Sequence, residues 1–323
     1  MEFAELARWT PIRLDFSGPV PTVDWADLSE ERFAEPFFDQ TVARWASGPR
    51  AGQLVRTGLE ALVALDNEPS LEPAGMIFHL SRCGSTLVSR LLGTLPGVVV
   101  VSEPSPLNAL LRLDPDLVDE PTLIRLVRVL VRALGRCRHG DERHLVLKCT
   151  SWNVRRRAIL AAAFPETPWI WVQRDPALVL ASLLINPPGW LGLRVVSPRT
   201  AQLFGLDPVP VLARGRVEFA ARALGAMLES AAAEPVGRLS IDHADLPEAV
   251  WQRAAPHFGL DAETPDAIKR MIEESQFYSK DPGFRVFSKD APERRLMTDS
   301  IRQAAERFAE PGYRALASHP YPA

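Results

Sequence analysis

The sequence predicts a three-layer α/β/α fold with a central parallel sheet. From residue 75 onward, short apolar runs of strand length alternate with longer segments of helical periodicity. Gly and Pro residues separate many of these segments, as expected for the ends of strands and helices. Polar residues follow several of the apolar runs, and the carboxyl ends of parallel strands are where open α/β sheets bind ligands.

The first core strand is predicted at residues 76–80, before a tight turn and a helix that stops at the breaker pair Pro96-Gly97. Because strands and helices alternate, we expect right-handed crossovers between parallel neighbours. Four further strands are predicted at 98–101, 145–147, 169–172 and 238–242. The helices between them are predicted at about 121–136, 154–163, 176–185 and 215–233.

Residues 1–74 are rich in Trp and Pro, and contain helical patches near 38–47 and 51–65. We interpret them as an N-terminal extension packed on the core of one domain, residues 75–323. Within that domain, residues 186–235 combine several Pro and Gly residues with a helical stretch, which indicates a helical insertion. Four arginines share one face of the helix at 121–136, and we interpret that face as solvated; they are Arg125, Arg128, Arg132 and Arg136.

The composition excludes several classes of function. The net charge of −3 argues against a general attraction to nucleic acid, so any anion site must be built locally. No apolar stretch is long enough for a membrane span, and the N-terminus lacks the pattern of a signal peptide. The three cysteines and six histidines lack zinc-ligand spacing. We therefore expect no metal and a cytoplasmic location.

The turn after the first strand has the chemistry of a phosphate cradle. Its residues are Ser81, Arg82, Cys83, Gly84, Ser85 and Thr86. A turn that feeds a helix points main-chain N–H groups outward, and the helix dipole adds partial positive charge. The alternative is an ordinary capped helix, because Ser and Thr also favour helix starts. The segment departs from the GxxxxGK[ST] pattern of ATP-binding loops, since it lacks the Lys and the first Gly.

Three other charged residues follow predicted strands, namely Glu103, Lys148 and Arg174. Each has a structural alternative: Glu103 could cap a turn, Lys148 could be an edge residue whose ammonium reaches solvent, and Arg174 could pair with Asp175. His79 lies within the first strand, and we interpret it as a buried structural histidine.

The segment FHLSRCGSTLVSRLL at residues 78–92 resembles the corresponding segment of the bacterial sulfotransferases that use 3′-phosphoadenosine 5′-phosphosulfate (PAPS). Their P-loop-like turn has a basic residue, a small residue and Gly before two hydroxyl residues, matching Arg82, Cys83, Gly84, Ser85 and Thr86. The resemblance implies that this turn binds the 5′-phosphosulfate of PAPS. It also implies that Arg174 and Ser182, eight positions apart, bind the 3′-phosphate.

The resemblance further implies that Glu103 is the general base, while Lys148 and Arg82 stabilise charge at the sulfuryl group. The family closes over the nucleotide with a late basic loop, which implies Lys280 here, with Arg285 and Lys289 as other candidates. One departure concerns the KxH arrangement of animal cytosolic sulfotransferases. Cys149 and Thr150 follow Lys148, so that histidine is absent and the base is expected to be Glu103.

The sequence therefore predicts an enzyme that transfers a sulfuryl group from PAPS, as co-substrate, to a hydroxyl or amine of an acceptor. We expect a small-molecule or lipid-like acceptor, with Trp190, Leu191 and Phe204 as candidate pocket residues. Two alternatives remain. One is an ATP-dependent small-molecule kinase of the P-loop class, and the other is a nucleotide-binding protein without catalysis.

Overall fold

The computed structural model describes residues 3–114, 116–192, 198–207, 215–233, 236–277 and 296–317. The strands are β1 (Thr10–Asp15), β2 (Thr22–Ala26), β3 (Leu54–Gly58), β4 (Pro73–His79), β5 (Val98–Ser102), β6 (His144–Lys148), β7 (Trp169–Gln173) and β8 (Arg238–Asp242). The α-helices are α1 (Phe38–Ala46), α2 (Leu59–Ala64), α3 (Ser85–Gly93), α4 (Ser105–Leu111), α5 (Glu120–Leu134), α6 (Arg157–Ala163), α7 (Pro176–Ile185), α8 (Pro198–Leu203), α9 (Arg216–Ala233), α10 (Ala255–His257), α11 (Pro265–Ser275), α12 (Asp299–Phe308) and α13 (Glu310–Ala317). Short 3₁₀ helices lie at Phe3–Arg8, Ser151–Arg156, Gly189–Leu191 and His243–Asp245, and a π-helical turn at Val250–Ala254.

The central sheet has five strands in the order β5-β6-β4-β7-β8, and every neighbouring pair is parallel. All five correspond to strands predicted from the sequence. The β5–β6 register aligns Ser102 with Lys148, and the β4–β7 register aligns His79 with Val172. The carboxyl ends of these strands therefore meet at one edge of the sheet, where their side chains can share a site.

Alternate residues along the strands face two separate hydrophobic cores. Phe78 on β4 and Trp171 on β7 belong to one core, which is shared with α5, α6, α7 and α9. Ile77 and Ile170, on the opposite face of the same strands, belong to a second core with α3 and α11. Helices thus cover both faces of a parallel sheet, and the predicted three-layer α/β/α fold, with its P-loop-like β4–α3 unit, is confirmed.

The first 58 residues contain more β-structure than predicted. Strands β1, β2 and β3 form an antiparallel sheet in that order, with α1 between β2 and β3. On β1 the buried Ile12 and Leu14 flank the exposed Arg13, a period of two that the expectation of helical patches overlooked. The helix predicted near 38–47 is present as α1, but the segment 51–65 is divided between β3 and α2.

The arginine face of α5 is only partly solvated, so its interpretation as a basic surface is wrong for Arg136. That side chain is 6% exposed, and its guanidinium donates hydrogen bonds to the main-chain carbonyls of Leu6 and Leu65 at 3.2 and 3.3 Å. Arg132 likewise contacts Ser70, and of the four arginines only Arg125 is exposed. Since these partners precede the central sheet in the chain, the face holds the N-terminal residues on the core.

Two properties of the described residues bear on function. No helix among them is long and apolar enough to cross a membrane. Within the same ranges, no group of three or more His, Cys, Asp and Glu side chains is arranged to hold a metal ion.

Candidate functional site

Three ionisable side chains lie next to one another at the carboxyl ends of adjacent strands. Glu103 follows β5, Lys148 ends β6 and His79 ends β4. Lys148 is fully buried, and its ammonium donates a hydrogen bond to Oε1 of Glu103. The Glu103 main-chain N–H also donates to the Lys148 carbonyl at 2.7 Å. Lys148 is therefore not the solvent-reaching edge residue that its position after an apolar strand allowed.

The Glu103 carboxyl is held in its ionised form. Burial alone would raise its pKa, but the charge of Lys148 and the neighbouring His79 imidazole outweigh burial and lower the pKa below the ordinary range. The nearest His79 atom, Nε2, lies 3.5 Å from Glu103 Oε1. A side chain that is 20% exposed and ionised at neutral pH can accept a proton from a molecule in the cleft.

The turn between β4 and α3 leaves the first main-chain N–H groups of α3 open. Gly84 is the N-cap residue, with φ of 90°, and as a glycine it has no side chain that could cap the helix. By contrast, the N-cap residue of α7, Asp175, accepts hydrogen bonds from the N–H groups of Ala177 and Leu178. The N-cap residue of α3 provides no such side-chain hydrogen bond, so the main-chain N–H groups at the start of α3 can receive an anion.

Backbone strain is concentrated around the same turn. Ser81, Arg82 and Glu103 have φ of 73°, 49° and 52°, and they are the non-glycine residues with positive φ in the described ranges. Each such conformation costs on the order of 1–3 kcal/mol, and these costs are commonly found where a functional geometry requires them. All three positions belong to the strand ends that carry the candidate site residues.

The two sequence motifs meet in space. Arg82 Nε donates a hydrogen bond to Ser182 Oγ at 2.9 Å, although the residues are 100 positions apart in the chain. Ser182 lies on α7 and is buried, while Arg174 is half-buried directly after β7. Because β7 pairs with β4, Arg174 and the turn at 81–86 leave neighbouring strands at the same edge of the sheet.

Cys83 contributes to the turn through its main chain. Its side chain is fully buried, and the thiol lies 3.1 Å from the carbonyl oxygen of Val172 in the core between β4 and β7. Ser85 and Thr86 are also buried, at the first turn of α3. The late basic candidates Lys280, Arg285 and Lys289 lie outside the described residues.

Two contacts at the site were not predicted from the sequence. His79 was interpreted as a purely structural histidine, yet it lies beside Glu103; its position at the end of a strand was the signal that could have identified it. The Phe37 ring, from the N-cap position of α1, has its centroid 4.9 Å from the Lys148 ammonium. Nothing in the sequence indicates that this N-terminal aromatic residue reaches the strand ends.

The apolar residues proposed to line an acceptor pocket are core residues instead. Trp190, Leu191 and Phe204 are at most 6% exposed and belong to the larger hydrophobic core. The Trp190 and Phe204 rings pack with centroids 5.2 Å apart, and Phe204 also contacts Phe219 on α9. Because these side chains pack on one another, they do not form the walls of an open cleft, and that prediction is wrong.

Replacing Gly84 with alanine is expected to lower the free energy of unfolding by about 1–3 kcal/mol. A Cβ at this position of positive φ would lie 2.7 Å from Leu246 Cδ1 and 2.8 Å from His243 Nδ1. Gly93→Ala, at the end of the same helix, is the matched control, since its Cβ would make an ordinary 3.5 Å contact with Val100. Urea unfolding of both variants measures the difference, and equal stabilities would contradict the proposed crowding at Gly84.

The sequence matches no protein family model and no curated protein. Among solved structures, the sulfotransferase STF9 from Mycobacterium avium aligns with 78% of this chain and 80% of its own, at 13% identity and a TM-score of 0.46. The sulfotransferase STF1 from Mycobacterium tuberculosis aligns with 75% of this chain and 77% of its own, at 16% identity and a TM-score of 0.44. The sulfotransferase domain of the Synechococcus olefin synthase aligns with 75% of this chain and 96% of its own, at 16% identity and a TM-score of 0.42.

Proposed function

We propose that this protein is a sulfotransferase that moves a sulfuryl group from PAPS to a hydroxyl or amine of an acceptor. The observation that carries the proposal is the hydrogen bond between Arg82 and Ser182. It joins the phosphate-binding turn to the segment expected to bind a second phosphate. A ligand with phosphate groups at two separate positions, such as the 5′-phosphosulfate and 3′-phosphate of PAPS, matches this pair of sites.

In this proposal the turn at 81–86 binds the 5′-phosphosulfate through the open N–H groups of α3 and the Arg82 guanidinium. Arg174 and Ser182 bind the 3′-phosphate. Ser182 already accepts a hydrogen bond from Arg82, and its hydroxyl hydrogen remains available to donate to a phosphate oxygen. Arg82 therefore lies between the two phosphate positions, where one guanidinium can help to neutralise both.

The transfer step breaks the bond between sulfur and the bridging phosphate oxygen and forms a bond between sulfur and the acceptor oxygen or nitrogen. The acceptor proton passes to Glu103, and the leaving electron pair stays on the phosphate of 3′-phosphoadenosine 5′-phosphate (PAP). Lys148 and Arg82 stabilise the charge that develops on the transferring and leaving oxygens. Since the lowered pKa makes Glu103 a weak base, the proton moves only after bonding to sulfur has acidified the acceptor.

The kinase alternative has less support from the residues of the turn. Phosphoryl-transferring P-loop enzymes use a loop lysine together with Mg²⁺. The turn here carries Arg82 and no lysine, and the buried cation of the site, Lys148, comes from β6 instead. A sulfuryl group carries less negative charge than a phosphoryl group, so side-chain cations can stabilise its transfer.

Calorimetric titration with PAP tests the proposal. We expect binding by the wild-type protein and an increase in Kd of about 10–100-fold for Arg174→Ala, because a charge-assisted contact with phosphate is lost. Arg125→Ala, which removes an exposed guanidinium from α5, is the matched control and should leave Kd unchanged. Absence of PAP binding, or equal Kd values for wild type and Arg174→Ala, would overturn the proposal.

Radiolabelled PAPS offered with a panel of alcohols, phenols, amines and extracted lipids identifies the acceptor class. Label transferred to a panel member supports the enzyme, and the best acceptor then serves for measurements on variants. PAP binding without transfer to any acceptor would support the nucleotide-binding protein without catalysis. Mg²⁺-dependent binding of ATP in place of PAP would support the kinase.

A further inference from the structure

His79 contacts both parts of the candidate site through one imidazole ring. The residue ends β4 and is 5% exposed. Its Nδ1 accepts a hydrogen bond from the main-chain N–H of Ser81 at 3.0 Å. Its Nε2 lies 3.5 Å from Oε1 of Glu103, an electrostatic contact that does not meet the geometry of a hydrogen bond. One nitrogen therefore contacts the phosphate-binding turn, and the other contacts the carboxylate.

The Ser81 contact determines which nitrogen carries the proton. A main-chain N–H can only donate, so Nδ1 must present a lone pair to Ser81. In the neutral ring the hydrogen is then on Nε2, where it faces Glu103. An imidazolium would place an N–H against the N–H of Ser81 and would lose that hydrogen bond. The neutral ring with its hydrogen on Nε2 keeps the Ser81 hydrogen bond and turns its positively polarised edge toward Glu103.

The contacts also distinguish the two oxygens of Glu103. The Lys148 ammonium and His79 Nε2 both approach Oε1, from neighbouring strands β6 and β4. Among the described residues these are the two positively polarised groups that contact this carboxylate. Oε2 is therefore the oxygen that can take a proton from an acceptor, provided that Oε1 stays held in this orientation.

We propose that His79 is a positioning residue that couples the phosphate-binding turn to Glu103. By accepting the Ser81 N–H, it holds that residue at φ of 73°, the left-handed conformation from which the turn begins. Through the 3.5 Å contact of Nε2 with Oε1, it orients the carboxylate so that Oε2 faces the acceptor. This inference rests on the proposed sulfuryl transfer, and it adds a histidine that touches neither donor nor acceptor.

Two conservative variants separate the two contacts. In His79→Asn the side-chain oxygen reaches the place of Nδ1, so the Ser81 contact is kept and the Glu103 contact is lost. In His79→Gln the amide nitrogen reaches the place of Nε2, so the Glu103 contact is kept and the Ser81 contact is lost. The two variants are matched in polarity, and each is the control for the other.

For His79→Asn we expect kcat with the best panel acceptor to fall about 10–100-fold, as is typical for partners that orient a reacting group. Its Kd for PAP should stay within about twofold of wild type, because a typical hydrogen bond is retained. For His79→Gln we expect Kd to rise about threefold to tenfold, with kcat restored to within about fivefold of wild type. A merely structural histidine would give equal losses of kcat and affinity in both variants, and that result would overturn the inference.

Failure of the proposed function can be distinguished from failure of the His79 inference. The first would be visible in the wild-type protein as absent PAP binding or absent transfer. In either case the carboxyl resonance of isotope-labelled Glu103 still reports on the contact. Because Nε2 of His79 contacts Oε1, the carboxyl chemical shift of Glu103 should move in His79→Asn and stay near the wild-type value in His79→Gln. An unchanged chemical shift of Glu103 in His79→Asn would overturn the inference without any assay of transfer.

Discussion

Replacing Glu103 with glutamine is expected to lower the rate of sulfuryl transfer by about 10²–10⁴-fold, the usual contribution of a general base. Glutamine has nearly the same shape and can still accept the Lys148 hydrogen bond at Oε1, but it cannot take a proton from the acceptor. Single-turnover transfer of label from PAPS to the best panel acceptor measures the effect. PAP affinity is not expected to weaken, because the substitution removes a negative charge near the phosphate sites.

The pH dependence follows from the direction of the Glu103 pKa shift. The folded-state pKa is lowered, so the carboxylate stays ionised as pH falls past the usual value of about 4.3. The wild-type rate should therefore show no loss from Glu103 between neutral pH and about pH 5.

Glu120→Gln, in the exposed first turn of α5, is the matched control for the loss of one carboxylate in Glu103→Gln. A wild-type rate for Glu103→Gln would exclude this residue as the base.

Replacing Lys148 with methionine is expected to affect both catalysis and stability. Transfer should slow by about 10²–10³-fold, because a fixed charge near the developing negative charge is lost. The free energy of unfolding should fall by about 3 kcal/mol, since Glu103 is left as a largely buried carboxylate without its ammonium partner. Methionine has a similar volume, so the change in packing is small.

The double variant Glu103→Gln/Lys148→Met separates these two effects. Without a carboxylate to compensate, removal of the ammonium should cost much less, and the double variant should be more stable than Lys148→Met alone. The pH dependence of the free energy of unfolding provides a second measurement. The stabilisation from ionised Glu103 is present above an unfolded-state pKa of about 4.3 and is lost as pH falls below it. Additive stability losses at neutral pH would contradict a coupled pair.

The gathering of charged residues at this edge of the sheet was predictable because it depends on local patterns. Five short apolar runs separated by helical segments determine a parallel sheet, and a parallel sheet brings the carboxyl ends of its strands together. Glu103 and Lys148 were identified in this way, and the structure places their side chains in contact. The sequence left both a phosphate cradle and an ordinary capped helix open at the start of α3, and only the structure shows that Gly84 is its N-cap residue.

Burial was harder to predict than secondary structure. A helical period shows that the arginines of α5 share a face, but it does not show what covers that face, and Arg136 is buried by the N-terminal residues. Likewise, apolar residues in an irregular segment can belong to a core or to a cleft. Trp190 and Phe204 belong to the core, because they pack on one another and on α9.

By itself, therefore, the sequence determined the alternation of strands and helices, and with it the edge of the sheet where charged residues gather. Only the tertiary structure decided which side chains meet there: Arg82 with Ser182, His79 with Glu103, and Phe37 with Lys148. The physical reason is that periodicity and turn chemistry act over a few neighbouring residues. The contacts that would orient a base or connect two phosphate sites join residues from distant parts of the chain, and these distances are set only when the helices pack on the sheet.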